Sequence, residues 1–341
     1  MGIVISFQNK IKVKVRLFLN IFILTFLTIL NVLPQVNEVA DGVIWTQATG
    51  SAQFPARYSH TSVVFNNKMW VIGGYGNGTG YFNDVWNSTD GVIWTQATDS
   101  AQFPARWGHT SVVFNNKMWV IGGKAILDYL NDVWYSTDGV TWTQATGHAQ
   151  FLARWGHTSV VFNNKMWVIG GSGIDYLNHN DVWYSSDGVT WTQATGSAQF
   201  TARYYPTSVV INNRIRLIGG SDSSDYLNDV WYSTNGVTWT QSTDSAQFPA
   251  RDSHTSVVYN NKMWVIGGYG MGYLNDVWSS TYGITWTKAT GAAQFPTRYR
   301  HASVVYNNKM WVIGGHNNSG DLNDVWCSGQ QTSANNWKVY E

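Results

Sequence analysis

Cysteine is almost absent from this sequence, since Cys327 is the single one among 341 residues. One thiol excludes an internal disulfide framework and metal sites built on clustered cysteines. Charged residues are also scarce, at 12%, and 21 Lys and Arg against 20 Asp and Glu give a net charge of +1. Because that balance provides no basic surface for a phosphate backbone, we expect no nucleic-acid partner. No helical period is long enough to indicate an α-helix.

Aromatic residues, by contrast, are abundant. With 20 Trp and 44% hydrophobic residues, the chain can bury a large core and does not have the composition of a disordered protein. The glycine-rich stretch 74–80 follows a predicted strand without opening a helix, so it is not a nucleotide loop. No residue cluster has the spacing of a metal site, and we expect neither a cofactor nor a metal.

The first 40 residues differ in composition from the rest. Four basic residues between Lys10 and Arg16 precede an apolar run at 17–33. A positive segment, a short apolar core and a polar exit are typical of an export signal or a signal anchor. We therefore predict a secreted or exported body at 41–341, attached to a membrane only if residues 1–40 stay uncleaved. The sequence leaves cleavage open.

From residue 42 onward, three phrases recur in fixed order with a period of 47 to 49 residues. A Gly-Gly pair begins at Gly73, Gly122, Gly170, Gly219, Gly267 and Gly314. The phrase Asn-Asp-Val-Trp places its Trp at 86, 134, 183, 231, 278 and 326, and a Thr-flanked Trp recurs at 45, 94, 142, 191, 239 and 286. Six copies at this period indicate a propeller, a solenoid or an array.

Each repeat reads as four antiparallel strands, which we label A (HTSVVF), B (KMWVIGG), C (NDVWYS) and D (GVTWTQAT). An Asn-Asn pair joins A to B and STDG joins C to D, and both are hairpin signals. Strand B is apolar on both faces, with Met69 and Val71 alternating against Trp70 and Ile72. Equal sheets stacked radially cover both faces, so we interpret the tryptophans as scaffold.

These residues carry a resemblance. The unit R-x-x-H-x-S-V-V, W-V-I-G-G, N-D-V-W, T-W-T is similar to the kelch repeat over residues 42–326. The resemblance implies an all-β, six-bladed β-propeller of four-stranded antiparallel blades whose loops at one end hold peptide or protein partners. Some propellers that resemble this one are enzymes, including sialic acid mutarotases, which leaves a sugar-directed enzyme as an alternative.

Two segments compete to complete the last blade. Residues 42–49 form a lone D strand at the start, whereas the last repeat supplies only A, B and C. Joining the first strand to the last blade removes a free edge. Residues 336–340 are a competitor, but Trp337 lies 11 residues after Trp326, where other repeats use 8. We predict closure by residues 42–49.

The B–C and D–A loops share one end of the predicted ring, and we predict the functional face there. The B–C loops differ most between copies, whereas the A–B and C–D turns at the opposite end are nearly the same. Variable loops on a rigid scaffold are where binding is expected.

Aromatic residues beside these loops are the predicted binding residues. They are Tyr58, Trp107, Trp155, Tyr204, Tyr205 and Tyr299, together with Arg300. Six arginines that begin the repeats have either a binding or a structural role: Arg57, Arg106, Arg154, Arg203, Arg251 and Arg298. Pairing with the Asp of each NDVW phrase is the structural alternative. We interpret the recurrent histidines, at 60, 109, 157, 254 and 301, as structural.

The fourth repeat departs from the others, because Arg216 stands where they have a Trp. Either this position is peripheral, or Arg216 is paired. Near-identical copies do not supply the different residues that catalysis needs, and we predict no catalytic residue. The sequence thus favours an exported, monomeric binding module for a protein or glycan, with a sugar-directed enzyme and a purely structural surface protein as alternatives.

Overall fold

A computed structural model describes residues 41–329. It contains six four-stranded antiparallel sheets whose innermost strands contact one another in cyclic order. The predicted six-bladed propeller is therefore confirmed. Among the described residues, no helix is long and apolar enough to cross a membrane.

The first strand is β1 (Ile44–Thr49). Blade 1 contains β2 (Thr61–Phe65), β3 (Lys68–Gly76), β4 (Gly80–Ser88) and β5 (Thr95–Thr98). Blade 2 contains β6 (Thr110–Phe114), β7 (Lys117–Lys124), β8 (Tyr129–Ser136) and β9 (Thr143–Thr146). A short ribbon pairs β10 (Arg154–Trp155) with β13 (Ser172–Gly173). Blade 3 contains β11 (Thr158–Phe162), β12 (Lys165–Ile169), β14 (Val182–Ser185) and β15 (Thr192–Thr195).

Blade 4 contains β16 (Thr207–Ile211), β17 (Arg214–Ser221), β18 (Tyr226–Ser233) and β19 (Thr240–Thr243). Blade 5 contains β20 (Thr255–Tyr259), β21 (Lys262–Tyr269), β22 (Tyr273–Ser280) and β23 (Thr287–Thr290). Blade 6 contains β24 (Ala302–Tyr306), β25 (Lys309–Asn317) and β26 (Gly320–Gly329), completed by β1.

Strand β1 closes the ring by pairing antiparallel with β26, with Trp45 opposite Ser328. The prediction that the first strand completes the last blade is confirmed. The competing segment, residues 336–340, lies outside the described residues.

Two predicted element boundaries were wrong. Strands B and C run on into the segments that we predicted as loops, so that Gly76 pairs with Gly80 in blade 1. Strand D is shorter than predicted and begins at Thr95. The preceding residues form a turn instead, because the Asp90 carboxylate accepts the backbone N–H groups of Val92 and Ile93.

The tryptophans of strand B, which we call the wedge residues, pack between each blade and the next. The ring of Trp70 in blade 1 lies on Gly139 in the C–D turn of blade 2, at a distance that leaves no room for a Cβ atom. Gly139 also has a φ of +78°, which other residues rarely adopt. The same wedge recurs where Trp119, Trp167, Trp264 and Trp311 meet Gly188, Gly236, Gly42 and Gly91.

In blade 4 the equivalent position of strand B holds Arg216, which lies beside Gly283 of blade 5. Because only 2% of Arg216 is exposed, the first of the two alternatives, a peripheral position, was wrong. Its Nη1 donates to Ser242 Oγ at 2.8 Å, and its guanidinium lies 5.0 Å from the centre of the Tyr232 ring. The other blades have Ala at the position of Ser242. A change within the same blade therefore accommodates part of the buried charge, while Arg216 Nε has no hydrogen-bond partner among the described residues.

We expect Ser242→Ala to lower the free energy of unfolding by about 1.5–3 kcal/mol, since it removes a buried hydrogen bond to a charged group. In an Arg216→Met background the same change should cost less than about 0.5 kcal/mol, because no charge is then left unpaired. Urea unfolding of the four proteins measures both values. Equal costs in the two backgrounds would disprove the pairing.

Candidate functional site

Each blade contains a buried arginine that forms an ion pair with the aspartate of its own strand C. In blade 1, Arg57 Nη1 and Nη2 donate to the two carboxylate oxygens of Asp84 at 2.6 and 2.7 Å. Nη1 also donates to the carbonyl of Gly73, and Asp84 accepts from Trp86 Nε1. Arg57 is completely buried. A bidentate pair of this kind is strong and directional.

The other five blades repeat this pair. It joins Arg106 to Asp132, Arg154 to Asp181, Arg203 to Asp229, Arg251 to Asp276 and Arg298 to Asp324. All of these arginines are completely buried, so none of the six guanidinium groups is open to solvent. This geometry is the one expected if the arginines have a structural role as partners of the aspartates. The pairs hold each D–A loop against its blade.

Two residues after each arginine, the backbone closes a ring around the propeller axis. We call these residues the collar: Ser59, Gly108, Gly156, Tyr205, Ser253 and Arg300. Each accepts a backbone hydrogen bond from the next, as Gly108 N–H donates to Ser59 O at 3.0 Å, and Ser59 N–H completes the circle to Arg300 O at 2.8 Å. Every collar residue has a positive φ, from 49° to 61°. The six blades are thus joined by main-chain hydrogen bonds at this end.

The residues immediately before the collar form a second ring, which we call the mouth: Tyr58, Trp107, Trp155, Tyr204, Asp252 and Tyr299. The five aromatic members are partly exposed. Each member pairs through its backbone with the end of strand B or the start of the B–C loop, as Tyr58 does with Tyr75. The structure therefore gathers five of the six predicted aromatic binding residues around one opening, and the sixth, Tyr205, belongs to the collar.

Arg300 and Tyr205 lie across this opening. The guanidinium of Arg300 lies 4.6 Å from the centre of the Tyr205 ring and 5.2 Å from that of Trp107. Tyr205 passes over the collar glycines, and its hydroxyl lies 3.3 Å from Ser59 Oγ. These two large side chains fit here because Gly108 and Gly156 have no side chains of their own.

Asp252 is the one mouth residue that is not aromatic, and sequence reasoning did not select it. It is 7% exposed and forms no salt bridge with a described residue. Burial raises the pKa of Asp252 to about 6, although the nearby Arg300 opposes the shift. The mouth therefore holds one buried carboxyl group whose pKa is raised by burial.

Below the collar, side chains of the innermost strands line an axial cavity of about 220 Å³. Hydroxyl pairs join neighbouring blades there, as Thr61 Oγ1 does with Ser111 Oγ at 2.6 Å. Similar pairs join Thr110 to Ser159, Thr158 to Ser208, Thr207 to Ser256 and Thr255 to Ser303. Four of the recurrent histidines place Nε2 on a threonine of this ring, at 2.9 to 3.1 Å.

The ring of hydroxyl pairs is interrupted between blades 6 and 1, which we call the seam. Ala302 occupies the position of the threonine, so Ser62 Oγ and His60 Nε2 are buried without a hydrogen-bond partner among the described residues. A single Thr-to-Ala difference in one repeat was the sequence signal for this site, and it was overlooked.

Sequence reasoning also missed a group of exposed apolar side chains on the B–C loops of blades 2 and 3. Ile126, Leu127 and Tyr176 are 72%, 87% and 82% exposed, and Ile174 and Leu177, which flank Tyr176 in sequence, are also exposed. The rings of Tyr129 and Tyr176 lie 6.1 Å apart and link the two loops. We call these five exposed residues the apolar rim.

We expect acid to unfold the protein because the buried histidines are held neutral. Burial, reinforced by a neighbouring arginine, lowers the pKa of His60, His157 and His254 to about 3, and burial lowers it well below the usual range in His109 and His301. The unfolded chain binds these protons near pH 6.5, so the stability is complete above that pH and is lost as pH falls toward 3. Each histidine contributes a slope of up to about 1.4 kcal/mol per pH unit.

Urea unfolding between pH 7.5 and 4.5 measures this slope. Because the pKa of Asp252 is raised, its contribution to the slope of stability against pH has the opposite sign. Between about pH 4 and 6 it cancels the contribution of about one histidine. His254→Gln should reduce proton uptake on unfolding by about one. A stability that does not change with pH would contradict neutral burial.

Comparison with known proteins agrees with this geometry. The model of the KLHDC2/KLHL20/DRC7 kelch-repeats domain matches residues 40–184, 135–280 and 233–341, which together extend from residue 40 to the end of the sequence. A search of curated proteins found no match. With six Gly-Gly repeats, six blades and a family match over most of its length, the chain belongs to the kelch-repeat family.

Proposed function

We propose that the protein is a binding module whose mouth and apolar rim dock a protein partner. The apolar rim carries this proposal. Contiguous exposed apolar side chains mark interaction sites on soluble proteins, whereas scattered ones do not. At the opposite end of the ring, the exposed apolar residues are spread among the C–D turns, as Ile93 in blade 1 and Ile284 in blade 5.

The mouth adds directional contacts to the apolar rim. Tyr58, Trp107 and Tyr299 are partly exposed and surround the Arg300 guanidinium. Tyr, Trp and Arg are the residues that contribute most to protein interfaces, especially at their centres. The buried Arg–Asp pairs keep this surface rigid, which lowers the entropic cost of binding.

Affinity capture with the intact protein tests this proposal, with quantification of the captured proteins by mass spectrometry. Ile126→Ser with Leu127→Ser should reduce capture of the partner at least tenfold, because both side chains are exposed and belong to the apolar rim. The matched control is Ile93→Ser with Ile284→Ser, which removes similarly exposed side chains from the opposite end and should leave capture unchanged. The dissociation constant of the purified partner is then measured with all three proteins.

A protein that binds all three equally would place docking elsewhere and refute the proposal. A glycan array on the same proteins separates the other ligand class. Binding to glycans alone, lost with Trp107→Ala, would replace the protein partner by a carbohydrate one.

We also infer that the propeller is exported, from the basic cluster and the apolar run within residues 1–40. In cells that express the full chain with a C-terminal tag, Ile23→Asp with Phe26→Asp should abolish export, since charges interrupt the apolar run. Thr25→Leu, which keeps the run apolar, should be exported like the unaltered chain. Fractionation and mass spectrometry of the N-terminus give the location and the cleavage site, and equal distribution of all three chains would refute export.

A further inference from the structure

The A–B and C–D turns form the end of the ring opposite the mouth, and we call this end the turn face. One basic residue follows each A–B turn and begins strand B. None of these six residues forms a salt bridge with a described residue. They are Lys68, Lys117, Lys165, Arg214, Lys262 and Lys309. The repeat therefore places one unpaired cation per blade around the turn face.

Acidic residues at the turn face are fewer than these cations. Asp90, Asp138 and Asp187 lie in the C–D turns of blades 1 to 3, where each accepts backbone N–H groups of its own turn. Asp41 accepts from the Asn260 side chain in the A–B turn of blade 5. Six basic residues against four acidic ones leave an excess of positive charge at this end.

The mouth end has the opposite sign. Apart from the aspartates of the Arg–Asp pairs, eight aspartates lie at this end, against Lys124 and Arg300 as the basic residues there. The eight are Asp99, Asp128, Asp175, Asp222, Asp225, Asp244, Asp252 and Asp321. Because the charge is separated along the propeller axis, a negatively charged surface attracts the turn face and repels the mouth.

Exposed apolar side chains accompany the cations of the turn face. The residue that follows the glycine of each C–D turn is between 43% and 59% exposed in blades 1 to 5. These residues are Val92, Val140, Val189, Val237 and Ile284. They are too far apart for the compact centre of a protein interface. Equivalent positions of successive blades lie at one level, however, so a flat surface such as a lipid bilayer can contact all of them together.

The chain also enters the ring at the turn face. Asp41 is held there by Asn260, and the next residue, Gly42, lies on the ring of Trp264. In the sequence, only residues 34–40 separate Asp41 from the apolar run at 17–33. Seven residues span at most about 25 Å when fully extended. A membrane that holds the apolar run would therefore lie close to Asp41, on the side of the turn face.

We propose that the turn face docks on an anionic lipid surface, with its six basic residues at the headgroups and its exposed C–D turn side chains inserted among them. Basic residues near such a surface strengthen binding, and apolar side chains add to it by burial at the boundary with the acyl chains. A soluble polyanion would offer the apolar side chains no comparable partner, which favours lipid. In this orientation the mouth and the apolar rim point away from the membrane.

Vesicle flotation of the intact chain tests the proposal. All proteins carry Ile23→Asp with Phe26→Asp, so that the apolar run does not itself hold the chain on the vesicle. We expect at least tenfold tighter binding to vesicles of phosphatidylglycerol mixed with phosphatidylcholine than to vesicles of phosphatidylcholine alone. Binding should weaken as the salt concentration rises, because salt screens exposed charges. Equal binding to both kinds of vesicle would overturn the proposal.

Lys309→Glu separates the turn face from the other charges of the chain. It should weaken binding to the mixed vesicles at least fivefold, because it reverses an exposed charge of the turn face. Lys124→Glu is the matched control, since it makes the same change at the mouth end, and it should alter binding less than twofold. Equal losses in the two variants would refute the proposal. Heparin binding that depends on Lys309, without vesicle binding, would replace lipid by a soluble polyanion.

Two double variants keep this test independent of the docking proposal. Ile93→Ser with Ile284→Ser removes exposed side chains from the turn face, and it should weaken vesicle binding at least threefold. Ile126→Ser with Leu127→Ser removes side chains of the apolar rim and should leave vesicle binding unchanged, although it reduces capture of the protein partner. Loss of vesicle binding in the second variant alone would place the membrane at the mouth end and contradict the proposal.

An environment-sensitive dye attached to a single introduced cysteine reports the orientation on the vesicle. The native Cys327 is buried and does not compete for the dye. At Val189→Cys, on the turn face, the emission should shift to shorter wavelength on the mixed vesicles, since the headgroup region is less polar than water. At Ser223→Cys, on the exposed B–C loop of blade 4, it should not change. A shift at Ser223→Cys alone would show the reverse orientation and refute the proposal.

Discussion

The mouth of this propeller depends on one buried ion pair that every blade repeats. The arginine of the D–A loop and the aspartate of strand C are joined by two hydrogen bonds, with a glycine carbonyl and a tryptophan N–H on the remaining positions. Removing either partner would leave a charge buried and unpaired, which is strongly unfavourable. Because the loop is held in this way, the next two residues always arrive at the mouth and the collar. Their side chains can then differ between blades without moving the backbone.

Departures from the repeat fall into two kinds. Arg216 replaces a wedge tryptophan, but Ser242 and Tyr232 of the same blade provide a hydrogen bond and a stacking surface. That departure concerns the scaffold and is accommodated only in part, because Arg216 Nε is buried without a hydrogen-bond partner among the described residues. Ala302 lines the axial cavity and leaves Ser62 Oγ and His60 Nε2 buried without a hydrogen-bond partner among the described residues.

Much of the architecture could be predicted from the sequence, because a period of 47 to 49 residues reports the same local interactions six times. The blade number, the strand order and closure by the first strand all follow from that repetition. The ends of the strands could not be predicted from the repetition, because the turn at Asp90 depends on side-chain hydrogen bonds and has no hydrophobic pattern. The seam was overlooked because Ala302 is a conservative difference in one strand, and its effect appears only where blades 6 and 1 meet. The collar also needed coordinates, since its hydrogen bonds join residues 47 to 49 positions apart, and across the ring closure 241.

Closure by the first strand has a consequence for biosynthesis. Strand β1 is made before any blade, yet its partner β26 lies more than 270 residues later. The ribosome therefore releases a strand whose backbone hydrogen-bonding groups have no native partner until the last repeat has emerged. Pairing over so long a loop is slow, and until it occurs the unpaired edge of β1 can associate with other chains. The strand that seals the finished ring is thus the one most exposed to misassembly while the chain is still incomplete.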